Sequence, residues 1–172
     1  MRDKGIKTLV MAALFAALIC AATMVVAIPL PASGYANLGD CVVILAGCLL
    51  GPLWGAAAAG IGSALADVLV GFAVYAPATF IIKALMAMAA YAVFTALSKN
   101  ESHILLAAII MVVTAEIIMI GGYFLYDWLI LDQTAAIIGV WGNFVQATVS
   151  AVAAAFLLIL MQKTPGIKKK LV

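Results

Sequence analysis

Long apolar stretches separated by turn signals constrain this chain more than any other feature. A helix rises about 1.5 Å per residue, so a hydrocarbon layer about 30 Å thick takes about 20 apolar residues to cross. Six segments approach or reach that length, at about residues 8–28, 38–50, 53–72, 77–97, 104–126 and 135–161. With 68% of its 172 residues hydrophobic and 9% charged, the chain is far more apolar than a soluble domain. The expected fold is an all-α integral membrane bundle of six transmembrane helices, one multi-pass domain spanning residues 1–172.

The punctuation fits that division. Prolines and glycine in "IPLPASGYANLGD" stop the first helix, "GPLWG" turns the chain between the second and third, and "AVYAP" separates the third from the fourth. Pro77 falls in the first turn of the fourth helix, where its missing N–H costs nothing. "SKNESH" is a polar linker, "DWLILDQ" a loop with two acids, and "QKTPGIKKKLV" a basic tail. The second segment is short, as expected of a helix tilted or partly buried under its neighbours. The first is longer than the core of about 7 to 15 residues in a secretory signal, so it is read as a retained span.

Basic loops are held on the cytoplasmic side of a membrane. Arg2, Lys4 and Lys7 precede the first span, Lys99 lies between the fourth and fifth, and Lys163, Lys168, Lys169 and Lys170 follow the sixth. The opposite loops hold Asp127 and Asp132 and no lysine or arginine. Both termini are therefore expected in the cytoplasm of a cell with a bacterial-type plasma membrane.

Much chemistry is disfavoured. Cys20, Cys41 and Cys48 lack CxxC spacing and a nearby histidine, so neither metal nor disulfide is expected. His103 is the single histidine and lies in a linker beside Glu101, which leaves an intramembrane hydrolase without a buried base. No GxxxxGK[ST] loop is present, so active transport would draw on a partner or an ion gradient. No enzymatic activity, cofactor or nucleic-acid partner is expected.

Small residues mark close helix contacts. Gly47, Gly51 and Gly55 recur every four residues, followed by Ala59 and paralleled by Gly60 and Ala64. In the first span, Ala12 with Ala16, and Ala13 with Ala17 and Ala21, form alanine stripes that serve either internal packing or the docking of another protein.

Intramembrane polar residues are costly and should face one another or a wet cavity. Counted from helix ends, Asp67 and Lys83 both lie about 9 Å deep and are expected to meet. Asn143 and Gln146 lie about 11 to 17 Å deep, Glu116 about 15 Å and Tyr123 about 5 Å. The outer loops add Tyr35, Asn37 and Asp40, with Phe72 and Tyr75. Trp128 reads as an interface anchor, whereas Tyr35, Tyr75 and Trp141 are placed to stack on a planar heterocycle. The layer has two readings: a helix-locking Asp67–Lys83 pair, or the wall of a ligand pocket.

The six spans, the repeats in "AALFAAL" and the block "GYANLGDCVVILAGCLLGPLWGAAAAGIGSALADVLVGFAVYAPATFIIKALMAMAAY" resemble the substrate-binding S component of energy-coupling factor (ECF) vitamin transporters. The branch resembled is the one linked to riboflavin and to pyridoxine or hydroxymethylpyrimidine. The resemblance implies a six-helix fold with a vitamin pocket near the extracellular face, covered by the loops between spans one and two, three and four, and five and six. It also implies partners: a transmembrane coupling subunit, docked on Ala12/Ala16 or Ala13/Ala17, and two cytoplasmic ATPase subunits. Delivery in the family is by toppling of the whole subunit in the lipid bilayer. Other classes are an ion-coupled carrier using Asp67, Lys83 and Glu116, and a membrane scaffold that binds nothing.

Overall fold

The computed structural model describes residues 2–29, 35–98 and 104–162. Lys99, Glu101, His103 and the lysines at 163 and 168–170 lie outside the described residues. The elements in chain order are α1 (Arg2–Val25), β1 (Ile28–Pro29), β2 (Tyr35–Ala36), α2 (Gly39–Leu50), α3 (Pro52–Leu69), α4 (Ala76–Leu97), α5 (Ile104–Ile130) and α6 (Gln133–Gln162). Among the described residues five helices are long and apolar enough to cross a membrane, and α2 is a shorter apolar helix. The sequence-based division into six helices holds.

Helix α2 packs against α1, α3, α4 and α6, and from Gly39 to Gly47 every residue is buried. Its 12 residues span about 18 Å, too little to cross the hydrocarbon layer alone. The missing length is supplied by extended chain. β2 pairs antiparallel with β1, Ile28 opposite Ala36 and Pro29 opposite Tyr35, and leads straight into the helix. Non-helical backbone is tolerated at membrane depth only where protein satisfies it. Here the Asn37 N–H donates to Gln146 Oε1 at 3.0 Å, and the Gly39 N–H to Asn37 Oδ1 at 2.8 Å.

Two elements differ from the sequence-based expectation. The ribbon β1–β2 was not anticipated, because its strands are only two residues each. Helix α5 runs on to Ile130, so "DWLILDQ" is mostly helix and Asp127 is no loop acid. The connection to α6 shrinks to Leu131 and Asp132, and Asp132 Oδ1 accepts from the Thr134 and Ala135 N–H groups to start α6. A connection this short provides no cover of its own for a pocket.

Lipid is as apolar as leucine, so nothing drives large side chains inward and close backbone approach decides the interior. Ala46, Ala59, Ala66, Ala87, Ala90, Ala107, Ala115 and Ala154 are completely buried, while Leu14, Ile81, Ile117, Val152 and Phe156 face outward. A Cβ at Gly47 would lie 2.3 Å from the Ala87 carbonyl oxygen, and one at Gly62 2.4 Å from that of Ala16. These glycines set the α2–α4 and α1–α3 distances. Gly51, at φ +82, supplies the left-handed residue between α2 and α3.

Gly47→Ala is expected to destabilise the protein by about 1 to 3 kcal/mol through overpacking, lowering its melting temperature in detergent. Gly121→Ala, whose added Cβ meets nothing within 4 Å, serves as the control and should be neutral or slightly stabilising.

Candidate ligand-binding site

Helix α4 presents Tyr75, Thr79 and Lys83 at intervals of four, one above another on a single face. The lowest of the three, Lys83, is almost wholly buried and forms a salt bridge with Asp40 Oδ1 in the first turn of α2. The other Asp40 oxygen accepts from Gln146 Nε2 at 2.7 Å. Gln146 in turn uses Oε1 to hold Asn37, through its backbone N–H and through Nδ2 at 3.2 Å. This chain of bonds ties α4, α2, α6 and the segment after β2 together.

The expected Lys83–Asp67 pair is not what forms. Lys83 faces α2, and Asp40 belongs to that helix rather than to an outer loop. Asp67 instead accepts the Tyr35 hydroxyl on Oδ1 at 2.7 Å.

Above the salt bridge lies a narrow cleft of about 30 Å³, room for about two waters. Its wall is Tyr35, Asn37, Asp67, Tyr75, Thr79, Tyr123, Asp127, Gly139, Asn143 and Gln146. The Tyr75 hydroxyl donates to Asp127 Oδ1 at 2.8 Å, and the Thr79 and Tyr123 hydroxyls share a hydrogen bond of 2.9 Å. Ring contacts run from Tyr35 to Phe72 (5.2 Å between centroids), Phe72 to Tyr75 (6.4 Å) and Tyr75 to Tyr123 (6.3 Å). Planar aromatic surface and fixed polar groups thus converge in one recess, the usual make-up of a small-molecule site.

The structure brings seven of the sequence-predicted residues to this wall: Tyr35, Asn37, Asp67, Tyr75, Tyr123, Asn143 and Gln146. Asp40 and Lys83 lie beneath it as a strut. Glu116 is buried within electrostatic reach of both, and neither of its carboxyl oxygens has a hydrogen-bond partner among the described residues. Trp141 is 74% exposed and stacks on Phe144, on the outward side of α6, so its expected role in stacking on a ligand does not fit its position. Thr79, Asp127 and Gly139 were missed. Each stands one helical turn from a residue that was recognised, on the same face: Thr79 before Lys83, Asp127 after Tyr123, Gly139 before Asn143.

A polytopic α-helical bundle with a polar, aromatic-walled recess between its helix ends has the architecture of a membrane substrate-binding subunit. The family model for the ECF-type riboflavin transporter, S component, matches residues 4–163, and the chain belongs to that family. A Pyrococcus woesei protein, named "Uncharacterized protein in gap 3'region", is 34% identical over 145 residues, covering 84% of this chain and 94% of that one. The fold also matches a solved S component of a bacterial ECF transporter, with a TM-score of 0.68 at 21% identity, over 91% of this chain and 96% of the other. The protein is a multi-pass membrane protein and a substrate-binding component of an ECF transporter.

Removing one partner of a buried ion pair leaves the other charge uncompensated. Lys83→Met is therefore expected to cost about 3 to 5 kcal/mol of stability, and Lys83→Met combined with Asp40→Asn to recover part of it. Thermal unfolding in detergent of the two single variants and the double variant measures the coupling.

Proposed function

We propose that this subunit captures a small planar heterocyclic vitamin or vitamin precursor in the cleft between Tyr35, Tyr75, Tyr123 and Asn143. The observation that carries the reading is the convergence of aromatic rings and polar groups from α3, α4, α5, α6 and the β2 segment in one recess. Its narrowness favours a single-ring pyridine or pyrimidine over the larger isoalloxazine and ribityl chain of riboflavin. The ligand forces the tyrosine side chains apart as it binds. Identifying by mass spectrometry the small molecule that co-purifies with the protein is the direct test; recovery of riboflavin would replace the small-ring reading.

The basic residues at the chain's termini orient both ends toward the cytoplasm, which turns the cleft toward the outside. Transport then depends on a membrane coupling subunit and two cytoplasmic ATPases, with no catalysis by this chain. Toppling of the closed subunit within the bilayer is the delivery step. Uptake by the isolated chain that collapses with the proton gradient would instead make it an ion-coupled carrier.

Of the two alanine pairs, Ala12 is buried, and Ala16 is half-buried against Gly62 of α3. Ala13 and Ala17 face outward and, with Leu9, Trp54, Ile61 and Leu65, line a shallow apolar groove between α1 and α3. Ala13 and Ala17 are the docking pair in this reading. Ala13→Leu with Ala17→Leu should leave vitamin affinity in detergent unchanged and abolish ATP-dependent uptake by the assembled transporter. Unimpaired uptake would move the docking face elsewhere.

A further inference from the structure

The charge in the bundle interior is unbalanced. Asp40, Asp67, Glu116 and Asp127 are each no more than 5% exposed, and the one buried basic side chain among the described residues is Lys83. That ammonium is taken by Asp40. The two carboxyls that line the cleft, Asp67 and Asp127, therefore form no salt bridge among the described residues. A buried carboxylate without a countercharge is costly.

The hydrogen bonds around the two carboxyls point in the same direction. The Tyr35 and Tyr75 hydroxyl protons go to Asp67 and Asp127. Gln146 spends an amide proton on Asp40, and Asn37 spends one on Gln146. Acceptors remain. Among the described residues Asp67, 4% exposed, keeps Oδ2 without a well-formed hydrogen bond while lining the cleft, with the Thr79 side chain beside it. The spare acceptor at Asp67 suits a ligand that brings an N–H to it, while the amides of Asn143, Asn37 and Gln146 keep donors for the ligand's other polar groups.

The rings add to this. A phenol that donates to a carboxylate gains electron density, and an electron-rich ring face attracts cations. A cation already lies over one ring of the wall, that of Tyr123, whose hydroxyl pairs with Thr79: Lys83 Nζ is 5.3 Å from its centroid. Tyr35 and Tyr75 present the same chemistry toward the cleft.

We propose that the ligand of this cleft is an organic cation, a small heterocycle carrying a protonated amine or a quaternary nitrogen, with that charge seated between Asp67, Asp127 and the tyrosine rings. Uncharged vitamins and phosphorylated ones are disfavoured, the latter by direct repulsion from both carboxylates. This rests on the cleft being the capture site, as proposed above.

The test is isothermal titration of the purified full chain in detergent with pyridoxamine and pyridoxine, which differ by an aminomethyl for a hydroxymethyl, and with thiamine and riboflavin as a permanently charged and a neutral probe. The expected result is affinity for at least one cationic probe about tenfold or more above that for either neutral one. Asp67→Asn retains an acceptor for Tyr35 and should weaken the cationic probe by about 30-fold or more, with less than about threefold effect on the neutral probes. Should that variant fail to fold, Asp127→Asn and the wild-type ratio of affinities decide the matter. Equal or tighter binding of pyridoxine or riboflavin, or cation binding indifferent to both substitutions, overturns the cation assignment and leaves vitamin capture standing. Failure of all four probes, with no small molecule co-purifying, overturns both.

Discussion

Everything in this bundle is arranged around one ammonium held by one carboxylate in the interior. Lys83 and Asp40 lie where α4 meets α2, and neither charge is accessible to solvent or lipid. Their attraction is strengthened by the apolar surroundings, and the spare oxygen of Asp40 is satisfied by Gln146. The bond therefore fixes three helices at once. Because Gln146 also holds the Asn37 backbone, the extended segment that prolongs α2 can remain non-helical inside the membrane. A short central helix, a strand-like extension and a polar recess above them all follow from that anchoring.

Different parts of this arrangement were legible in the sequence for different reasons. Helix number and order were readable because hydrocarbon thickness imposes a length, and runs such as 104–126 meet it without ambiguity. That polar groups of several helices would gather was readable from counting helical rise, and the wall residues Asp67, Tyr123, Asn143 and Gln146 do share one recess. Their direction was not, and that is why Lys83 was matched with Asp67, at the same depth, when its partner is Asp40 on another helix. Periodicity held some of the missing information. Trp141 lies two residues before Asn143, about 200° around α6 at 100° per residue, and so faces away from the cleft. Asp127 lies four residues after Tyr123, on the same face, and was hidden only by ending α5 too early. The two-residue strands of the ribbon carry too short a pattern to be read at all.

Membership of the ECF S-component family gives these features a common purpose. The exterior of the bundle is almost uniformly apolar, with alanine and glycine inside and leucine, isoleucine, valine and phenylalanine outside. The buried polar groups gather in the interior, and the exposed Thr95, Thr114 and Thr148 each bond a carbonyl of their own helix. An apolar exterior of this kind suits a body that lies within lipid, where exposed charge is costly. Close glycine contacts, such as Gly47 on Ala87 and Gly62 on Ala16, hold the helices together as one packed body.

The same helices carry the strut in one turn and the recess wall in the next. On α4, Lys83 lies a turn below Thr79 and two below Tyr75; on α6, Gln146 follows Asn143 by three residues. Changes in the upper turns can therefore reshape the recess without disturbing the bond between Lys83 and Asp40. That separation gives evolution a scaffold on which specificity can drift independently of stability. Gln146, which touches both layers, is where the two would be inherited together.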